Sequence, residues 1–85
     1  MALERESLRT YLRDRMGLDI SNVHDDTPLF SSNLLDSFSM VDLIMFIEEK
    51  AGIRIQQADV TLDNLDSIAR ILRFVASSDE SKENS

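Results

Sequence analysis

Apolar residues recur along this chain in three helical stretches separated by loops. Leu8, Tyr11, Leu12 and Met16 fall at helical spacing, and Glu4, Glu6, Arg9, Arg13 and Asp14 take the polar side. They predict a first helix from about Ala2 to Met16, stopped at Gly17 where a left-handed residue is favoured. Residues 18–35 lose the period but keep Ile20, Val23, Leu29, Phe30, Leu34 and Leu35. A loop of that length is either functional or pinned by its own apolar side chains. Thr27-Pro28 marks a turn within it, since the residue before proline is kept out of the helical region. The period resumes from Ser37 to about Ala51 and ends at Gly52, after which Ile53-Arg54-Ile55 alternates as a short extended segment. Residues 58–65 form a loop with room for a brief helical turn. Asp66 is expected to cap a last helix, Ser67 to about Ala76, with Ile68, Ile71, Leu72 and Val75 facing inward. Ser77 to Ser85 has no apolar anchor and is expected to be a disordered tail, leaving one all-α domain over residues 1–76.

The second helix carries two apolar stripes. Met40, Leu43, Ile44, Ile47 and Ala51 cluster on one side; Phe38, Val41 and Met45 lie nearly opposite, beside Asp42, Glu48 and Glu49. A surface helix needs one apolar stripe. The second is either also buried or kept for a partner, and a chain this short can hardly bury both sides, which favours the partner. Phe46 lies between the stripes and is assigned to the core.

Leu34-Leu35-Asp36-Ser37-Phe38-Ser39-Met40 stands where the loop gives way to this helix. Aspartate is among the best N-cap residues, because its carboxylate accepts from the orphan N–H groups of the first turn. Ser37 then sits at the positive end of the helix dipole, where a phosphate ester is favoured by the dipole and by exposed N–H donors. Ser37 is therefore a candidate modification site.

Composition narrows the picture. Eighty-five residues make one small domain, and without cysteine neither disulfides nor a thiolate metal site can staple it. Sixteen acidic residues against nine basic leave a net charge of −7, which opposes binding to nucleic acid or anionic lipid. That charge suits partners with basic docking patches, or simply keeps a small protein in solution. The N-terminus lacks the apolar run of a signal peptide, and the longest apolar stretch, Leu43 to Ile47, is too short for a bilayer. The expectation is a cytoplasmic protein without membrane insertion. His24-Asp25-Asp26 offers one histidine without a second ligand at helical spacing, and Asp19 to His24 lacks the glycine and closing glutamate of a calcium loop. No serine lies in a nucleophile elbow, and Glu48 and Glu49 point in different directions. Neither a catalytic residue nor a metal site is expected.

Asp36-Ser37-Phe38 followed by Met40 to Glu49, Gly52-Ile53-Arg54-Ile55 and Leu65-Asp66-Ser67-Ile68 resembles the acyl carrier and peptidyl carrier superfamily. The resemblance spans about residues 3–76 and implies a free-standing four-helix bundle with three main helices and a short third helix. It implies that Ser37 carries 4′-phosphopantetheine, taken from coenzyme A by a phosphopantetheinyl transferase, with Asp36 capping the helix and presenting the serine. The arm's thiol would hold an acyl or aminoacyl thioester, so the chain would be a shuttle and not an enzyme. Phe38, Val41 and Met45 would be apolar docking contacts and Asp42, Glu48 and Glu49 an acidic rim, the same apolar three that the helical wheel isolates. Implied partners are the transferase, an acyl- or aminoacyl-loading ligase or adenylation enzyme, and a downstream synthase, transferase or oxidase. The expected state is a monomer.

Two departures bear on pathway. Many carriers have glycine where Leu34 stands, and fatty-acid carriers usually have leucine and an acidic residue where Phe38 and Ser39 stand. Leu-Leu-Asp-Ser-Phe is closer to D-alanyl carriers and to peptidyl carriers of specialised metabolism. The alternative is a helical adaptor that docks a partner through Phe38, Val41 and Met45 and carries no prosthetic group, with or without phosphorylation at Ser37.

Overall fold

The helical period is realised as α1 (Arg5–Asp14), α2 (Ser37–Ala51), the single-turn α3 (Leu62–Leu65) and α4 (Ile68–Asn84). Two 3-10 turns, Ile20–Asn22 and Gln57–Asp59, interrupt the connections. The computed structural model describes residues 3–84, with side chains through residue 78, and no strand occurs among them. Leu8 and Leu12 from α1, Leu43 and Ile47 from α2, Leu29 from the long loop, and Leu65, Ile68 and Ile71 are wholly buried together. Full burial of such side chains contributes about 1.5–3 kcal/mol each, which is what a chain without staples must rely on.

The termini of the helices show what the local sequence can and cannot do. α1 is shorter than expected at both ends; Ala2 lies outside the described residues, and Glu4 is extended without a side-chain cap. At the other end Gly17 adopts φ 72°, and the Leu18 N–H returns to the Leu12 carbonyl at 3.1 Å. α2 stops at Gly52, φ 69°, as expected. The last helix does not stop near Ala76. Its backbone runs through Asn84, so the segment expected to be disordered continues the helix, and residues 77–84 contain neither proline nor glycine to break it.

Asp66 overturns a second expectation. It is not the cap of α4; the Ser67 hydroxyl takes that place, accepting the Arg70 N–H at 3.2 Å. The Asp66 carboxylate instead accepts the Phe30 N–H at 2.8 Å, the Ser31 N–H at 3.0 Å and the Ser31 hydroxyl at 2.6 Å. Its carbonyl takes the Leu29 N–H at 2.6 Å, and the Asp25 carbonyl takes the Ala69 N–H at 3.0 Å. The long loop is thereby fastened to the start of α4. From the other side, Arg9 donates to the carbonyls of Val23 at 2.8 Å and Ile20 at 3.1 Å. Val23, Leu29 and Leu35 are buried, so the loop is pinned both by polar bonds and by its own apolar residues.

Asp66→Ala removes an acceptor for three donors at once. It is expected to lower the melting temperature by about 4–8 °C, the shift that ~1 kcal/mol produces in a domain of this size. Thermal unfolding followed by circular dichroism checks this, and no change would mean that the loop is held by its apolar residues alone.

Candidate functional site

The buried Leu35 turns the chain so that Asp36 leaves the loop with extended backbone, φ −108° and ψ −175°, and caps α2. Its carboxylate accepts the Ser39 N–H at 2.9 Å, and its carbonyl accepts the Met40 N–H at 3.1 Å. The Ser39 N–H above all holds the Asp36 carboxyl below the usual carboxylate range. Ser37 is the first residue of α2, exposed, and its hydroxyl has no hydrogen-bond partner among the described residues. One part of the sequence reading changes here. The Ser39 N–H is taken by Asp36, so a phosphate ester on Ser37 would have the dipole of α2 but not that donor. It would stand off the helix end, next to a carboxylate, and point outward.

Asp36 and Asp66 share a pH dependence. The Asp66 carboxyl is pushed up by burial, but the bonds from Ser31 and Phe30 outweigh this and leave it lowered. A carboxyl lowered in the folded state contributes stability above its unfolded value of about 3.9 and loses it as pH falls through the folded value. Stability is therefore expected to hold to about pH 4 and decline below it. In urea titrations over that range Asp66→Asn should decline less steeply than the wild type; parallel declines would remove Asp66 from the account.

The two stripes of α2 separate as the wheel requires. Leu43, Ile47 and Ala51 are buried and Met40 and Ile44 half-buried, whereas Phe38 is 84% exposed, Val41 58% and Met45 62%. Phe46 is half-buried, its ring stacked on Tyr11 with centroids 4.0 Å apart. Asp42 and Glu49 are exposed. Glu48 is half-buried, and its carboxylate accepts the Ile55 N–H at 2.8 Å, so it ties α2 to the following segment. Leu34 and Leu62 are also exposed and were not singled out beforehand. For Leu34 a signal existed: neighbours in an extended segment point to opposite faces, and Leu35 is the buried one.

Between α1 and α2 lies an open groove of about 760 Å³, with Thr10, Tyr11, Asp42, Met45, Phe46 and Glu49 among its lining residues. Tyr11 is buried, which together with the charge of Asp42 raises its phenol above the ordinary value, Arg15 opposing. His24 is exposed and lies beside Asp25, which Arg5 engages at 2.8 Å; no trio of His, Cys, Asp or Glu able to hold a metal occurs among the described residues.

A family model described as a phosphopantetheine attachment site matches residues 6–75. The chain belongs to this carrier family. Two curated relatives agree. Polyketide-8 synthase acyl carrier protein 2 of Streptomyces avermitilis is 30% identical over 60 residues, covering 71% of this chain and 69% of that protein. The acyl carrier protein of Thermotoga maritima is 25% identical over 68 residues, covering 80% and 82%. Carriers of this family bear covalent 4′-phosphopantetheine, and the four-helix, all-α architecture is theirs. An exposed serine with a free hydroxyl at a capped helix start fits that group. No described helix is long and apolar enough to cross a membrane.

Proposed function

We propose that Ser37 is the attachment residue and that the chain carries acyl or aminoacyl groups between enzymes of a specialised pathway in the cytoplasm, without catalysing a step itself. The observation that supports this most directly is the Ser37 hydroxyl, exposed and unpartnered at the first position of α2. Attachment forms a bond from Ser37 Oγ to phosphorus and breaks the pyrophosphate bond of coenzyme A. The hydroxyl proton leaves to a base or to water. When bound, the arm supplies a thiol that holds the cargo as a thioester. Asp36 keeps α2 capped, so Ser37 is presented at a fixed helix end while the arm moves. Its carboxylate also keeps the ester from settling onto the first turn, which leaves the arm free to reach a partner's active site. Intact mass before and after incubation with coenzyme A and a broad-specificity phosphopantetheinyl transferase tests the reading. One phosphopantetheine increment supports it; none, with a control carrier modified in parallel, overturns it.

The exposed stripe of Phe38, Val41 and Met45 next to Ser37 would dock the transferase, the loading ligase or adenylation enzyme, and the downstream synthase, transferase or oxidase. Asp42 and Glu49 would steer basic partners. Glu48, held by Ile55, would add a fixed charge to that rim. Methionine suits a surface that meets several partners. Val41→Arg or Met45→Arg is expected to slow modification by the transferase at least tenfold while shifting the melting temperature little. A collapse of stability in either variant would show the stripe to be core.

Support for a specialised pathway comes from Phe38-Ser39 after Ser37 and from the relative named as a polyketide synthase carrier.

A further inference from the structure

The groove between α1 and α2 has features that carriage and docking do not use. Its lining holds four carboxylates, Glu6, Asp14, Asp42 and Glu49, against two cations, Arg15 and Lys50. Asp14 is engaged by Arg13 at 2.9 Å, but Asp42 makes no hydrogen bond or ion pair among the described residues. Tyr11 is more than nine-tenths buried, and its hydroxyl likewise has no hydrogen-bond partner among the described residues. A buried phenol left unpaired is costly unless something in the groove satisfies it. Asp42 lies close enough to Tyr11 to raise its pKa, so the phenol keeps its proton at neutral pH and remains a donor. A donor and a free carboxylate thus stand side by side, floored by the stacked ring of Phe46.

We propose that this end of the groove receives the cargo of the chain's own arm, and that the cargo it selects is an aminoacyl group with a free α-ammonium. The ammonium meets the Asp42 carboxylate, and the thioester carbonyl accepts from the Tyr11 hydroxyl. An uncharged acyl group satisfies only the second contact, and an anionic one is repelled. This inference rests on Ser37 bearing the arm.

Reach and strength both suit a tethered ligand. Asp42 lies five residues after Ser37, about 7.5 Å along the axis of α2. The arm has a backbone of about fifteen atoms, equivalent to about five extended residues or ~17 Å, so it can double back that far. One ion pair in an open groove holds a free amino acid poorly, but a short tether presents its ligand at about millimolar effective concentration. Such a site fills with tethered cargo and stays empty of free amino acid. The contact also competes with hydrolysis, since cargo lying in the groove is partly removed from water.

The experiment loads Ser37 through the transferase with amide-linked arms ending in alanyl, N-acetylalanyl or butyryl groups, confirms each by intact mass, and records ¹H–¹⁵N spectra. The alanyl form should shift the amides of Tyr11, Asp42 and Phe46 severalfold more than the other two, relative to the unacylated arm. Tyr11→Phe and Asp42→Asn should each cut that alanyl-specific shift by at least half. If Tyr11→Phe does not fold, Asp42→Asn alone decides. Equal shifts for the three cargoes, or none, overturn the proposal while leaving the carrier reading intact. Failure of all three arms to load overturns the carrier reading and this inference with it. Amides that respond only when a loading enzyme is added would make the groove a docking surface and also overturn the proposal.

Discussion

Ser37→Ala should retain its circular-dichroism spectrum and melting temperature yet gain no phosphopantetheine mass when incubated with coenzyme A and an active transferase. The two halves of that result have separate causes. The side chain of Ser37 is exposed and makes no hydrogen bond among the described residues, so removing its hydroxyl leaves nothing unsatisfied. Alanine is also the better helix former, and the N-cap bond comes from Asp36, not from Ser37. A change within about ±0.5 kcal/mol is therefore expected. The loss of modification is absolute because no other atom of residue 37 can form the ester. Ser39 lies in the next positions of α2, but its N–H is fixed by Asp36 and its side chain is half-buried. An increment retained by the alanine variant would move the attachment site elsewhere.

Ile47→Ala should show the opposite division. Ile47 is wholly buried on the inner stripe of α2, at the centre of the contacts with Leu8, Leu12 and Ile71 in the core cluster. Truncation costs the transfer free energy of the lost carbons plus the cavity they leave, about 2–5 kcal/mol. A chain of 85 residues has in total roughly 4–13 kcal/mol at the usual stability per residue. The variant should unfold at much lower urea with an unchanged slope, and part of the population should be unfolded at 37 °C. Val41→Ala, on the exposed stripe of the same helix, should change stability by no more than about 0.5 kcal/mol. A loss below ~1 kcal/mol for Ile47→Ala would mean that this face does not form the core.

The attachment site was legible because everything that makes it is local. Cap, serine and helix start are consecutive, and a carboxylate one residue before a helix closes onto the N–H three residues later whatever surrounds it. The same holds for the two stripes of α2, since a helix of known period fixes which residues share a face. The exposure of Phe38, Val41 and Met45 follows from that geometry once one stripe is buried. Gly17 and Gly52 marked helix ends for the same reason: a left-handed residue is a backbone property that glycine supplies by itself.

Other residues had their roles set across the fold. Asp66 looks like a helix cap in sequence, but a neighbouring serine can cap equally well. Which of the two does so depends on the Phe30 and Ser31 N–H groups arriving from 36 and 35 residues away. Glu48 looks like one more acidic residue on an exposed face until the Ile55 N–H comes within 2.8 Å. The last helix outran its expected end because composition measures whether a segment can bury apolar surface, not whether its backbone can continue a helix already begun. The groove beside Asp42 could not be read at all, since Tyr11 and Phe46 come from different helices and meet only when these pack.

The amino-acid sequence by itself determined the helical class, the order of its elements, the attachment residue and the outward stripe beside it, because each depends on neighbours within a turn or two. Only the tertiary structure decided which carboxylates are spent on the fold, where the long loop is fastened, and that a tyrosine hydroxyl and a free aspartate share one groove. Those outcomes depend on which hydrogen-bond donors and rings approach from distant parts of the chain, and no local pattern records that approach.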